Sequence, residues 1–307
     1  MKTHAKGAGN EGHERIEACA AQARAEWHLS MTAVTTHGPS FLRWAGSKRQ
    51  SLARLRTTLP DQYERYVEPF AGSAALFFAL RPARALLGDL NSLLVNAMTW
   101  VREDYAGIVQ ALCGMPRDEA SYYRYRAELN ALDHNTKRAA ILFIYVNRNC
   151  FNGLWRTNKL GQFNVPFGGT QIGNYPPEAL FAECASALAK AEVFHQDFRE
   201  TISACGLGDV IFADPPYFTA TERTFVEYGH RSFGASDLSD LIDLLVDAEE
   251  RGAKVVLTYS AAMEISAIPE HWLRKQIAVT RNVGGFRDSR RSFGETIYSS
   301  PVAEVKP

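Results

Sequence analysis

The chain has 307 residues, 46% hydrophobic and 22% charged, with 34 Lys+Arg against 34 Asp+Glu and a formal net charge of zero. That is the make-up of an ordinary globular protein, large enough for one substantial core or for a core domain with a smaller insertion. Zero net charge excludes a whole-molecule attraction to nucleic acid, so any such binding must come from a local patch.

Five cysteines are scattered through the chain (Cys19, Cys113, Cys150, Cys184, Cys205), with no CxxC and no His at metal-ligand spacing. The expectation is therefore no metal, no disulfide framework and a reducing cytoplasm. No apolar run approaches the roughly 18 residues that span a bilayer, and the N-terminus lacks a signal-peptide core, so no membrane association is expected.

In chain order, residues 1–40 read as a mobile extension with a helix around Glu14–Trp27. Phe41-Leu-Arg-Trp-Ala-Gly-Ser-Lys48 then puts a Gly turn, an aromatic and a lysine before an apolar helix, Gln50–Leu59. Helix N-termini and ammonium groups both favour carboxylates. Lys48 is thus either a solvated lysine or the holder of a cofactor carboxylate.

Tyr66-Val-Glu-Pro-Phe-Ala-Gly-Ser-Ala-Ala-Leu-Phe-Phe reads as a strand, a turn at Gly72 and an apolar helix. Arg84-Ala-Leu-Leu-Gly-Asp89 is a second strand ending in a carboxylate, and Ser92–Val101 is helical. Strand, Gly turn, helix, strand and Asp make a βαβ unit, with Asp89 about 17 residues beyond Gly72. Two readings stay open here: a ribose-binding site, or a structural turn with a helix-capping Asp. The turn lacks GxGxxG, since Ala74 and Ala75 stand where further glycines would fall, and no GxxxxGK[ST] is present. S-Adenosylmethionine, a nucleoside with an amino-acid tail and no pyrophosphate, suits the turn better than NAD or ATP.

Asp118–Leu132 and Thr136–Val146 are expected as helices, followed by a polar, Asn/Gly-punctuated stretch, Asn147–Gly169. Strands return at Val210–Ala213 and Lys254–Thr258 around an amphipathic helix, Ser236–Arg251, and Gln276–Arg281 with Glu295–Ser299 forms a terminal hairpin. The expected fold is α/β: a mainly parallel, Rossmann-like sheet interrupted after its second strand by a helical insertion carrying a hairpin.

Ile211-Phe-Ala-Asp214-Pro215-Pro216-Tyr217 is the most specific segment. A buried strand delivers a carboxylate, two prolines follow that have no amide hydrogen to donate, and an aromatic ring comes next. The nitrogen lone pair of a base amino group is delocalised into its ring and is a poor nucleophile. Acceptors on the Asp214 carboxylate and the Pro215 carbonyl take its two hydrogens and draw the nitrogen towards tetrahedral geometry, while Tyr217 stacks on the flipped base. Carbon-5 cytosine methylation needs a thiolate, typically in a Pro-Cys pair, and no such pair occurs. The structural alternative is a Pro-rich strand exit with a capping Asp.

With these pieces in order, Phe41 to Pro307 resembles the Dam-type (alpha-class) DNA adenine-N6 methyltransferases. Arg43-Trp-Ala-Gly-Ser-Lys48 is similar to that family's [KR]WAGGK opening, Glu68-Pro-Phe70-Ala-Gly72 to its cofactor loop, Asp89-Leu-Asn91 to its D-x-N, and Asp214–Tyr217 to its catalytic tetrad. The resemblance implies Trp44, Lys48, Phe70, Gly72, Asp89 and Asp214 as cofactor contacts, with Asp197-Phe198 at the cofactor's adenine. Cys150-Phe-Asn-Gly-Leu-Trp-Arg-Thr-Asn158 and Gly161–Gly168 match the family's DNA-reading hairpin. This implies Arg43, Phe151, Asn152, Leu154, Arg156 and Pro166 as DNA contacts: Arg156 pairing with guanine, Phe151 wedging into the stack, and Leu154 and Pro166 meeting a thymine methyl. The residues agree, since Arg117–Thr170 holds eight Lys/Arg against four Asp/Glu, interleaved with aromatics. A hairpin that merely supports the cofactor domain is the alternative.

The expected organisation is a catalytic domain of residues 41–115 and 171–307 that binds S-adenosylmethionine, with residues 116–170 as the DNA target-recognition insertion. The expected activity is adenine-N6 methylation of double-stranded DNA by a monomer, at a GATC-like site, with a cognate restriction endonuclease as a candidate partner. Rival readings are an amino methyltransferase acting on cytosine N4, RNA or protein glutamine, and a catalytically silent DNA-binding relative.

Overall fold

A computed structural model describes residues 40–217, 233–262, 265–281 and 291–301. The expected N-terminal extension, with its helix and Cys19, lies outside the described residues apart from Ser40.

Seven strands form one sheet: β1 (Arg65–Glu68), β2 (Ala85–Asp89), β3 (Ala191–His195), β4 (Asp209–Ala213), β5 (Lys254–Ser260), β6 (Leu273–Arg281) and β7 (Arg291–Ser299). Their order is β3-β2-β1-β4-β5-β7-β6; β1 to β5 are mutually parallel, and β7 runs antiparallel between β5 and β6. Both faces of the central strands are covered, which is why they read as continuous apolar runs. The two-residue period sorts those runs. Tyr66, Leu87, Val210, Phe212 and Val256 enter one core, and Val67, Leu86, Ile211, Val255 and Leu257 enter the other.

The first core is roofed by α2 (Ala75–Leu80), α3 (Ser92–Cys113), α5 (Lys137–Asn149) and α6 (Glu178–Leu188), and the second by α7 (Phe198–Ser203) and α8 (Ala235–Glu250). Chain order reverses at β1, which lies between β2 and β4. The ligand crevice of such a sheet opens at the carboxyl ends of the strands beside that switch point. Among the described residues no helix is long and apolar enough to cross a membrane.

Several expected elements change. The Gln50–Leu59 helix is a 3-10 turn, Lys48–Gln50, and a five-residue α1, Leu52–Arg56. The Thr57 and Thr58 hydroxyls bond back to the Arg54 and Leu55 carbonyls, and Pro60 prevents continuation. Helix α3 runs on to Cys113 through a kink at Asp104, which Lys137 bonds from α5. Strand β3 and helix α6 had no expected counterpart. β3 is the sheet edge, with Glu192, Phe194 and His195 exposed, so it carries neither an apolar run nor a clean alternation. The expected hairpin is a loop with two isolated antiparallel bridges, Cys150↔Phe167 and Thr157↔Phe163. It is held by α4 (Glu119–Ala131) rather than by a continuous ladder. Tyr122 and Arg126 donate to the Val165 carbonyl, and the Asn130 amide exchanges two bonds with the Phe163 backbone.

The Asn147-Arg148-Asn149 trio, assigned by its polarity to a loop, completes α5 and is buried. The Asn147 amide bonds both the amide and the carbonyl of Arg43, Arg148 donates to the Phe41 carbonyl, and Asn149 accepts from Arg117. The Asn147 and Arg148 bonds clamp Phe41 and Arg43 onto α5.

Gly88 in β2 lies against α7, where an added Cβ would sit 2.4 Å from Thr201 Oγ1. Gly88→Ala is therefore expected to destabilise the protein by about 1–3 kcal/mol. Thr201→Ala in the same chain should recover much of that loss, as read by urea denaturation.

Candidate active site

Three chain segments converge at the carboxyl ends of β1, β2 and β4. After β1 the backbone turns at Gly72 (φ +48°), whose amide donates to Asp89 Oδ2 at 2.9 Å. The next turn residue, Ala74, is held in the left-handed region at φ +48°. A glycine-like turn is thus made with alanine, at a cost of roughly 1–2 kcal/mol. Trp44 packs on this turn, since a Cβ on Gly72 would meet its Nε1 at 3.0 Å.

Asp89 also accepts from the Asn91 amide at 2.8 Å, while the N-cap of α3 is Asn91 itself. The helix-capping reading of Asp89 is thereby overturned. Burial pushes its carboxyl up, against the opposing pull of these two amides.

Phe70 stacks on Phe198 with ring centroids 5.2 Å apart, and Phe233 meets both edge-on or tilted. Asp197 caps α7 and pairs with Arg199, which also reaches Asp237 and Asp240.

Beside this crevice, Asp214 leaves β4. Its Oδ1 accepts from Thr258 Oγ1 at 2.8 Å and from Lys48 Nζ at 2.6 Å. Lys48 reaches Glu295 Oε1 on β7 at 2.8 Å and the Tyr217 hydroxyl at 3.4 Å, and Tyr217 in turn donates to Glu295. Only 7% of the Lys48 side chain is exposed, so the solvated-lysine reading is wrong. The ammonium is drawn inside by two carboxylates. Asp214 has Lys48 and Thr258 as its partners, so the helix-capping reading of the tetrad finds no support in these contacts. Burial is the largest influence raising its carboxyl; Lys48 opposes it and Glu295 adds to it. Tyr217 packs on Tyr259 at 5.1 Å.

Glu68 ends β1 beneath the turn, buried, with Oε1 accepting from Tyr66 Oη at 2.6 Å and the Phe77 amide at 3.0 Å. It thereby satisfies an N–H in the first turn of α2 that has no intrahelical partner. Desolvation raises its carboxyl to about 8, so it is largely protonated at neutral pH. Among the described residues no group of three or more His, Cys, Asp or Glu could hold a metal ion.

The expected DNA contacts divide. Arg43, half-buried, packs against Gly153 and Gly173; Phe151 and Asn152 form a 3-10 turn with Asn152 at φ +55°; and Phe151 N donates to the exposed Pro166. Leu154 is exposed beside them. Arg156 stands further along the loop, its Nε on Asn164 Oδ1 at 2.8 Å. The count of eight basic residues overstates the available charge. Arg117, Arg126 and Arg148 bond backbone carbonyls, and Lys137 and Arg138 pair with Asp104 and Glu128. The loop is tied to the Gly72 turn through Trp155, which stacks on Trp44 and on Phe163.

The profile of the D12 class N6 adenine-specific DNA methyltransferases matches residues 44–283. The chain belongs to this family. The Type II methyltransferase M1.LlaDCHI of Lactococcus lactis subsp. cremoris is 28% identical over 271 residues, covering 85% of this chain and 94% of that protein. The retron Ec67 DNA adenine methylase of Escherichia coli is 30% identical over 265 residues, covering 85% and 91%. The DNA adenine methylase of E. coli strain K12 is 29% identical over 278 residues, covering 87% and 97%. This D12-class chain is an adenine-specific DNA methyltransferase.

The sequence alone does not single out Thr258, Phe233 or Glu295, which the structure brings into this candidate site, and it shows Glu68 only as part of a loop motif. Thr258 closes an expected strand, but nothing in its local pattern tells of Asp214. Glu295 opens the expected final strand, Glu295–Ser299, whose mixed polar and apolar pattern gives a charged residue no distinction.

Because the folded protein keeps the Glu68 proton that the unfolded chain releases above pH ~4.5, stability falls as pH rises from there towards about 8. Glu68→Gln mimics the neutral form and should flatten that fall. Wild type should lose on the order of 1–3 kcal/mol relative to the variant between pH 5 and 7, measured by urea denaturation.

Proposed function

We propose that Asp214–Tyr217 directs a methyl group from S-adenosylmethionine to the 6-amino group of an adenine rotated out of double-stranded DNA, at a GATC-like site. Residues 116–170 serve as the target-recognition insertion and residues 41–115 with 171–307 as the catalytic domain. The observation that carries this reading is the pairing of Asp214. Among the described residues both of these partners meet Oδ1, which leaves Oδ2 as an acceptor on a side chain that is 20% exposed.

The site suits a cationic methyl donor. With Glu68 protonated, two carboxylates, Asp214 and Glu295, face one ammonium, Lys48, and the excess negative charge complements a sulfonium. Asp89 supplies acceptor oxygens for a ribose diol, Phe70 and Phe198 an aromatic wall for adenine, Asp197 an acceptor, and Gly72 and Trp44 the floor. Lys48 is already engaged by two carboxylates, so holding the methionine carboxylate would require it to exchange a partner. When bound, S-adenosylmethionine supplies the electrophilic methyl group.

The protein's own part is orientation. Asp214 Oδ2 and the Pro215 carbonyl accept the two amino hydrogens, neither Pro215 nor Pro216 has an amide hydrogen to compete, and the nitrogen lone pair is freed from the ring. The Tyr217 ring, held by its hydroxyl bond to Glu295 and by packing on Tyr259, offers a face to the base.

On the DNA side, Arg156 keeps its Nη groups for guanine O6/N7 while Asn164 orients its Nε. Phe151 and Asn152 fill the gap left by the flipped base, with Leu154, Pro166 and Arg43 lining the same turn. The enzyme would act as a monomer, and in a restriction–modification setting beside a cognate endonuclease.

Plasmid from cells expressing the protein should resist a GATC endonuclease that requires unmethylated adenine; full cutting would exclude GATC. Asp214→Ala should abolish labelled-methyl transfer to DNA while the protein stays folded, and retained transfer would refute the role of the tetrad. Arg156→Ala should lower discrimination at one guanine by about 1–3 kcal/mol, seen as near-cognate methylation in competition assays.

A further inference from the structure

Glu295 belongs to no part of the tetrad or the cofactor loop, yet it is buried at the centre of the charge cluster. It gets there through topology. β7 runs antiparallel to β5, so its early residues lie at the carboxyl ends of the parallel strands, and Glu295 pairs in register with Ser260 and Ile277. Its Oε1 accepts from both Lys48 Nζ and the Tyr217 hydroxyl. One oxygen thus ties the N-terminal segment that carries Lys48 to the aromatic end of the tetrad.

We propose that Glu295 is a positioning residue for methyl transfer: it shares the Lys48 ammonium with Asp214 and fixes the Tyr217 hydroxyl, so that Asp214 keeps an oxygen for the adenine amino group and the ring keeps its angle to the base. This rests on the tetrad acting as argued above. Without the Glu295 charge, the Lys48 ammonium has one carboxylate left within reach, Asp214. A full ion pair there competes for the lone pairs that the amino hydrogens need. The Tyr217 hydroxyl also loses the acceptor that fixes its direction, keeping its long contact with Lys48 and its packing on Tyr259.

The groups facing Asp214 are Lys48 from the N-terminal segment, Glu68 at the end of β1, Thr258 on β5, Tyr217 in its own segment and Glu295 on β7. Glu295 raises the Asp214 carboxyl and Lys48 lowers it. Activity requires the ionised form and is lost as pH falls through its titration. Removing the Glu295 charge moves that acid limb to lower pH, while the plateau rate falls. A residue needed only for folding would lower yield or stability and leave the limb where it is.

The test uses the full chain as Glu295→Gln, with S-adenosylmethionine and an unmethylated duplex oligonucleotide carrying the target site. Single-turnover methyl transfer is followed from pH 5 to 9, with separate binding measurements for duplex and methyl donor. At saturating methyl donor a fall in rate of about 10- to 100-fold is expected, with the duplex dissociation constant within about twofold of wild type; the methyl donor itself binds more weakly, because the cluster loses its excess negative charge. The acid limb should shift to lower pH, and Glu295→Asp, which keeps the charge, should hold the wild-type limb. A wild-type rate and limb in folded Glu295→Gln would overturn the proposal.

If Glu295→Gln does not fold, Tyr217→Phe carries the test, because it removes only the hydroxyl that Glu295 accepts. A severalfold loss of rate at unchanged binding supports the proposal, and a wild-type rate overturns it. Asp214→Ala in parallel separates the two levels. Activity there sinks the reading of the tetrad, whereas a dead Asp214→Ala beside a wild-type Glu295→Gln sinks only the inference about Glu295.

Discussion

One buried ammonium between two carboxylates organises the catalytic side of this protein. Lys48 comes from a loop ahead of the sheet, Asp214 from the exit of β4 and Glu295 from the antiparallel strand β7. A lysine taken out of water has a desolvation cost that one partner seldom offsets, and a carboxylate buried without a cation would carry the same cost. The three charges therefore hold one another inside, and with them the segments that carry them. The segment that carries Lys48 is fixed in turn by hydrogen bonds from α5 to Phe41 and Arg43 and by the apolar anchors Phe41, Leu42 and Trp44.

The same cluster sets the electrostatic character of the crevice. Glu68 lies close enough for Asp214 to raise it further, and it escapes the cost of a third buried negative charge by keeping its proton. Its retained oxygen then caps α2 beneath the Gly72 turn. Protonation, helix capping and the shape of the turn are one arrangement: a charged Glu68 would repel Asp214, and an apolar residue would leave the Phe77 amide unsatisfied.

The loop that follows α5 is held by the opposite means. It has two isolated bridges instead of a ladder, so its shape comes from α4 gripping the Phe163 and Val165 backbone and from the aromatic column Trp44–Trp155–Phe163. That column links the loop to the Gly72 turn, on which Trp44 packs. Many of the arginines in the insertion act as internal glue, which is why local basicity, correct as a count, overstates the charge offered outward.

What the sequence by itself determined is what local chemistry encodes. Apolar runs around β1, β2, β4 and β5, the capped helices α4 and α5, and the Asp214–Tyr217 tetrad were legible because both-face burial, capping and proline chemistry act over a few residues. The tertiary structure alone decided the fate of residues whose partners are remote in sequence. Lys48 is a buried ion-pair partner because Asp214 and Glu295 arrive from other strands; Asn147–Asn149 are internal struts because the Arg43 segment passes beside them. Glu295 enters the site because β7 is inserted antiparallel. β3 escaped notice for the complementary reason: an edge strand is specified by its neighbour's hydrogen bonds, and its own side-chain pattern need not announce it.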